Sequence, residues 1–174
     1  MRTLTKEQLR CLASPVRNEV FSAVLNLGEA TVKDVAAALA KSPESLHYHF
    51  KSLTKAGLIE TLNLRPTERR PEAIYRTVDT QFELPNEGND PEIAELRLEA
   101  IEAGLRHSWR QFEKTARNPN GKNLVLKQSL KLKPEDRETF WKMIEEAARF
   151  AREKSCPEGD STGWTCLFWE ESGG

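Results

Sequence analysis

The sequence predicts an α+β fold, mainly α, in two parts. Three observations carry that expectation. Apolar residues recur at spacings of three and four through the first 58 positions and again beyond residue 90. The early helical stretches are bracketed by cap and stop residues. Two runs with strand character, 58–62 and 73–78, flank a polar, basic segment.

The elements follow in order. Leu9, Leu12, Val16, Val20, Phe21, Val24, Leu25 and Leu27 keep helical spacing, interrupted at Ser14-Pro15. The chain therefore forms a short helix near 5–12 and a longer one over 15–26, with Pro15 at a first helical position after a Ser cap and Gly28 as the stop. Thr31 caps the next helix, with Asp34 completing an approximate capping box, and Val32, Val35, Ala36 and Leu39 form its buried stripe. Ser42-Pro43-Glu44 repeats the start signal. Leu46, Phe50 and Leu53 set the buried face of the helix that follows, and Gly57 ends it in the left-handed conformation glycine favours.

The outer face of that helix carries Glu44, His47, Tyr48, Lys51 and Lys55. A short helix presenting polar and basic side chains suits a DNA major groove. The strand-like runs form a hairpin with Arg65, Arg69 and Arg70 in its tip, placed for a minor groove or a phosphate, or simply solvated, and diluted by Glu68 and Glu72. Ser42 is a cap first, although free N–H groups at a helix start also favour phosphate. His47 and His49 point about 200° apart on one helix and cannot share a metal. His49 borders Leu46 and Phe50, so its expected role is structural, with a hydrogen-bonded ring. For Tyr48 the alternative is packing against the hairpin.

Residues 83–90, with Pro85, Asn86, Gly88 and Asn89, read as a linker between a part at 1–82 and a part at 91–174. Asp90-Pro91-Glu92 opens a long helix to about Arg117. One stripe is Ile93, Leu96, Ala100 and Ala103; another is Leu98, Ile101, Leu105, Trp109, Phe112 and Ala116. Two stripes exceed what one packing partner requires, so this helix is expected to dimerise the protein. Ile93, Leu96, Ala100, Ile101, Leu105, Trp109 and Phe112 are its candidate contacts. A strand is expected over 123–132, where leucines alternate with polar residues. A helix follows from Pro134 with Phe140, Ile144, Ala147 and Ala151 in register, then a last strand at 164–169. The second part is thus a long helix followed by a small strand-helix-strand unit.

Composition narrows the function. The formal net charge is −1, but residues 1–80 hold twelve Lys/Arg against nine Asp/Glu, and the remainder is acidic. That split fits a weakly basic module joined to an acidic one. Cys11, Cys156 and Cys166 are widely separated and give neither a disulfide framework nor a zinc spacing. MRTLTKEQLR lacks the apolar core of a signal peptide, and no run approaches a bilayer span, so the expectation is a reduced, cytoplasmic protein with no membrane partner. There is no phosphate-cradling glycine loop and no nucleophile elbow, so no enzyme, catalytic residue, cofactor or metal is expected. Trp109, Trp141, Trp164 and Trp169 fit core or interface better than a ligand pocket.

The order helix, helix, capped helix, capped helix, hairpin is that of a winged helix-turn-helix, and the wording goes further. LASPVRNEVFSAVL, then TVKDVAAALAKSPESLHYHFKSLTKAGLIE, then a basic hairpin ending IYRTV resembles ArsR-type bacterial transcriptional regulators over about residues 8–80. Leu12, Ala13, Pro15 and Arg17 match that family's opening phrase. His49, Lys51, Leu53, Ala56, Gly57 and Leu58 match its second, with Phe50 for Leu and His47 for Ser. The resemblance implies a homodimer on double-stranded DNA, with repression as the expected output. DNA contacts are expected at Ser42, Glu44, Ser45, His47, Tyr48, Lys51, Lys55, Arg65, Arg69 and Arg70. The sequence departs from the family at the turn, where Ala40 replaces the usual Gly and Lys41 an apolar residue. The first helix of the motif has no Cys-x-Cys pair, so metal sensing is not carried over. Two alternatives stand beside this reading. One is a winged-helix protein-interaction module without DNA binding. The other is a sensor of a small-molecule effector using an apolar pocket in the C-terminal half.

Overall fold

The computed structural model describes residues 2–66, 71–79, 82–85, 90–118, 120, 122–125, 130–154 and 165. The chain divides into two compact units, residues 1–111 and 112–174.

The first unit begins with β1 (Arg2–Thr3), α1 (Lys6–Leu12), α2 (Pro15–Leu27), α3 (Val32–Leu39) and α4 (Pro43–Lys55). Then come β2 (Ile59–Arg65), β3 (Glu72–Thr77), β4 (Phe82–Glu83) and α5 (Pro91–Ala116). Thr5 caps α1 in a reciprocal box with Gln8, and Thr31 caps α3 in one with Asp34. Pro15 stands at the first turn of α2 as expected, but the Ser14 side chain makes no cap hydrogen bond.

Two helix ends share one geometry. At the end of α4 the Leu58 N–H donates to the Leu53 carbonyl at 3.0 Å and Gly57 N–H to Thr54 at 3.0 Å, with Gly57 at φ 65°. At the end of α3 the Lys41 N–H donates to Ala36 at 2.9 Å and Ala40 N–H to Ala37 at 3.2 Å. This double closure turns the chain through a left-handed residue. Glycine fills that position after α4. After α3 it is Ala40, at φ 53° and ψ 45°.

β2 and β3 pair antiparallel from Ile59↔Thr77 to Arg65↔Glu72, with a register shift between Thr61 and Asn63 that leaves Leu62 as an extra residue. Ala30 adds a bridge to Tyr75 by reciprocal hydrogen bonds of 2.9 and 2.8 Å. β1 pairs parallel with β4, Arg2 against Phe82. Three helices and a hairpin in this order, behind α1, form a winged helix-turn-helix.

One core serves the whole unit. It contains Leu9 and Leu12 of α1, Val20 and Val24 of α2, Val35 of α3 and Leu46, Phe50 and Leu53 of α4. Ile93, Leu96 and Ala100 of α5 join it. The expected boundary at 83–90 therefore differs from the division observed, because α5 packs with the helices before it. The hydrogen bonds agree: the Asn18 amide donates to the Leu12 carbonyl at 3.0 Å and the Ala100 carbonyl at 3.2 Å. Lys6 bridges Asp90 at 3.0 Å and Glu92 at 2.7 Å, and Arg10 also pairs with Glu92.

The second unit contains the end of α5 and α6 (Pro134–Glu153). Phe140 and Ile144 are half-buried, while Ala147 and Ala151 are exposed. The strand expected over 123–132 is absent from its described residues, 123–125 and 130–132, whose leucines are exposed. Residues 126–129, and the last strand expected at 164–169 apart from Thr165, lie outside the described residues, as do Cys156 and Cys166. Among the described residues no helix is long and apolar enough to cross a membrane.

Candidate nucleic-acid interface

The site is the outward face of α4. Its inner face is fixed by Leu46, Phe50 and Leu53, all buried, with the Phe50 ring 4.7 Å from the Tyr75 ring of β3. At about 100° per residue these three cluster on one side of the helix. Glu44, Tyr48, Lys51 and Lys55 fall within about 60° of one another on the opposite side. All four are exposed, Tyr48 at 68%. Ser45 and His47 flank them and are exposed too. Lys51 and Lys55 form no ion pair among the described residues, so two full positive charges stand on this face.

Both ends of α4 are held. Ser42 Oγ accepts from the Ser45 N–H at 3.4 Å, and Ser45 Oγ donates to the Ser42 carbonyl at 2.7 Å. At the other end the Gln8 amide, 2% exposed, donates to the Ala56 carbonyl at 3.0 Å and to Gly57 at 3.3 Å. Gln8 Oε1 in turn accepts from the Thr5 N–H at 3.0 Å. α1 thereby clamps the end of the exposed helix by hydrogen bonding as well as packing. Nothing in the local sequence of α4 points to Gln8; the signal that could have marked it is its place three residues after Thr5, the spacing of a capping box.

The expected histidine roles separate. His47 is on the exposed face. His49 is half-buried, its ring 5.7 Å edge-on from Tyr48, and its Nδ1 is buried without a hydrogen bond. A hydrogen-bonded structural ring was expected; at Nδ1 it is not found. Burial, then the nearby positive charges of Arg17 and Lys41, hold His49 below the usual histidine range. Tyr48 does not pack on the hairpin, which takes Phe50 instead.

Among its described residues, the arginines of the hairpin are paired. Arg65 pairs with Asp34 at 3.2 Å, Arg76 with Glu60 at 2.8 Å, and Lys33 of α3 with Glu72. Asp34 is held below its usual range chiefly by the Thr31 backbone N–H, with Arg65 adding to it. Arg65 thus sits beside the start of α3 with its charge balanced. Arg69 and Arg70 lie outside the described residues.

Behind α4, Glu19 of α2 is 5% exposed and pairs with Lys41 at 3.5 Å and with Arg110 of α5. Lys41 stands where the resemblance led us to expect an apolar residue. Its charge is matched by this buried carboxylate. Arg17 closes a second joint: its Nε donates to the Cys11 carbonyl at 2.7 Å, tying α2 to the end of α1. Burial pushes the Cys11 thiol above its ordinary value.

The candidate dimer contacts divide between two faces of α5. Ile93, Leu96 and Ala100 are buried in this chain's own core. The second stripe lies on the other side of α5. Leu98 is 62% and Trp109 59% exposed, with Ile101 and Leu105 half-buried. Phe112, half-buried, belongs to the second unit. The apolar pocket considered for the C-terminal half has as its nearest counterpart an open depression lined by Pro134, Arg137, Glu138 and Trp141, with mixed polar and apolar walls.

Residues 12–61 match the family described as a helix-turn-helix domain. The chain carries such a domain, running from the end of α1 through α4 into β2. No curated protein matches the chain. A helix-turn-helix domain with a hairpin wing and an exposed second helix is an architecture suited to placing that helix in a DNA major groove.

Proposed function

We propose that the protein is a dimeric, sequence-specific transcriptional regulator acting as a repressor, with α4 as the helix that reads the major groove. The observation that supports this most is the geometry of α4. Its apolar face is locked into the core, and its opposite face presents Tyr48, Lys51 and Lys55 to solvent. Lys51 and Lys55 contact phosphates or base edges, and Tyr48 packs on a thymine methyl or a phosphate. Ser42, Glu44, Ser45 and His47 lie at the start of the helix, where such domains approach base edges. Arg65 and the hairpin tip supply backbone contacts after exchange of the Asp34 pair for phosphate. Repression follows from occupying a promoter, the output implied by the resemblance to ArsR-type regulators.

Dimerisation uses the outward stripe of α5. A two-fold dimer sets two reading helices about 34 Å apart, one DNA turn, and requires a near-palindromic site. Selection of bound sequences from a random duplex pool tests this. The expected product is an inverted repeat with half-sites about one turn apart. A pool that enriches no sequence at low salt overturns the reading.

A further inference from the structure

We propose that Glu19 is a positioning residue for the reading helix: through Lys41 it holds shut the turn at Ala40 from which α4 starts. The proposal rests on the DNA-reading role of α4 proposed above and adds the residue that sets where that helix begins. Two departures from the ArsR-type pattern meet at this turn, Ala40 in place of Gly and Lys41 in place of an apolar residue. One relationship explains both. Ala40 is held at φ 53° and ψ 45°, a conformation that a Cβ disfavours. Two backbone hydrogen bonds close the turn, Ala40 N–H to the Ala37 carbonyl at 3.2 Å and Lys41 N–H to Ala36 at 2.9 Å. Relative to glycine, an alanine there shifts the turn toward opening by about tenfold. A further contact is needed to keep it closed.

The Lys41 side chain supplies that contact. Its ammonium lies 3.5 Å from Glu19 Oε2 in α2. The Glu19 side chain is 6% exposed, and a carboxylate taken out of water needs a cation beside it. The other oxygen, Oε1, pairs with Arg110 of α5. Exposed ion pairs contribute little, but here one partner is nearly dry, so the attraction is weakly screened. Glu19 stands on a helix anchored by Val20 and Val24, both fully buried. The pair therefore ties a fixed point of the core to the residue just before the Ser42 cap of α4. An apolar residue at 41 would pack there but could not answer the charge.

The test uses the full chain and a selected duplex, with a scrambled duplex beside it. Lys41→Met removes a positive charge and leaves Glu19 paired with Arg110; Glu19→Gln removes a negative charge. A general attraction to DNA would move the two variants in opposite directions. Positioning moves them together: each binds the selected duplex about tenfold more weakly, with the salt slope of the parent. Adding Ala40→Gly to Lys41→Met restores binding to within about threefold, because the turn then closes without help. Effects of opposite sign, or a Lys41→Met protein that loses about one unit of slope and is not rescued by Ala40→Gly, overturn the proposal and make Lys41 a phosphate contact instead. Amide hydrogen exchange provides an arm without DNA. Glu19→Gln speeds exchange at the Ala40 and Lys41 amides about tenfold, while the Tyr75 amide, bonded to the Ala30 carbonyl at 2.8 Å, keeps its rate. Unchanged rates at the turn overturn the clamp. A parent that binds no duplex removes the DNA reading itself, a result distinct from a turn that Glu19 does not hold.

Discussion

The side-chain amide of Gln8 closes the C-terminal end of the exposed helix, donating to the Ala56 carbonyl at 3.0 Å from 48 residues away. Helix ends leave carbonyls without intrahelical partners. Here two of them are served by one buried side chain, whose oxygen also caps α1. Gln8→Ala strands these groups in a site that is almost dry. We expect a loss of about 1–3 kcal/mol in chemical denaturation. Gln8→Glu keeps an acceptor for the Thr5 N–H but sets a carboxylate oxygen against the Ala56 and Gly57 carbonyls in a nearly dry site, so its loss is at least as large. A Gln8→Ala protein as stable as the parent contradicts the clamp.

Ala40 is the only non-glycine residue at positive φ among those described, at φ 53°. An L-residue with a Cβ is strained there by about 1–2 kcal/mol. Glycine removes the strain but adds freedom to the unfolded chain, which returns part of the gain. Ala40→Gly therefore raises stability by about 0.5–1 kcal/mol in urea titration. A loss of stability means that the turn does not carry the strain its geometry implies.

His49 makes the fold sensitive to mild acid. Its folded pKa is held below the ordinary value of 6.5, first by burial and then by Arg17 and Lys41. The unfolded chain thus binds the proton more readily. Stability is fully present above pH 6.5 and is lost as pH falls below it toward the folded pKa. His49→Phe removes this component and flattens the profile between about pH 7 and 5, above the range in which Asp34 and the other carboxylates titrate. Denaturation midpoints at several pH values in both proteins provide the check. Parallel profiles contradict the assignment.

The helix-turn-helix was legible because its signals are local. Thr31 with Asp34, Ser42 with Pro43, and Gly57 each specify a helix end within a few residues, and Leu46, Phe50 and Leu53 set the buried face by spacing alone. At the turn, Ala40 in place of the family's glycine marked a departure that gave reason to expect a different shape, yet the residue keeps the left-handed conformation at φ 53°. What the sequence hid depends on distant partners. Gln8 meets Ala56, and Asn18 meets Ala100 82 positions away. Nothing in the sequence around Glu19 marks its burial between Lys41 and Arg110. Both stripes of α5 were visible, but periodicity does not say which one the chain keeps. Ile93, Leu96 and Ala100 are the ones buried, and the Asn18 amide of α2 donates to the Ala100 carbonyl on that side. Arg65 looked free because Asp34, its partner, is 31 residues earlier. The strand expected over 123–132 rested on alternation alone, with no partner strand to fix it.

On the proposed reading, the outer face of α4 binds duplex DNA through Lys51 and Lys55. The direct measurement is affinity for a selected duplex across a salt series, for the parent, Lys51→Ala and Lys55→Ala. Each phosphate neutralised by a lysine contributes about 0.9 to the slope of log affinity against log salt. Each variant is expected to bind more weakly and to lose about one unit of slope, with its circular dichroism unchanged. Variants that keep the affinity and slope of the parent place the DNA elsewhere and contradict it.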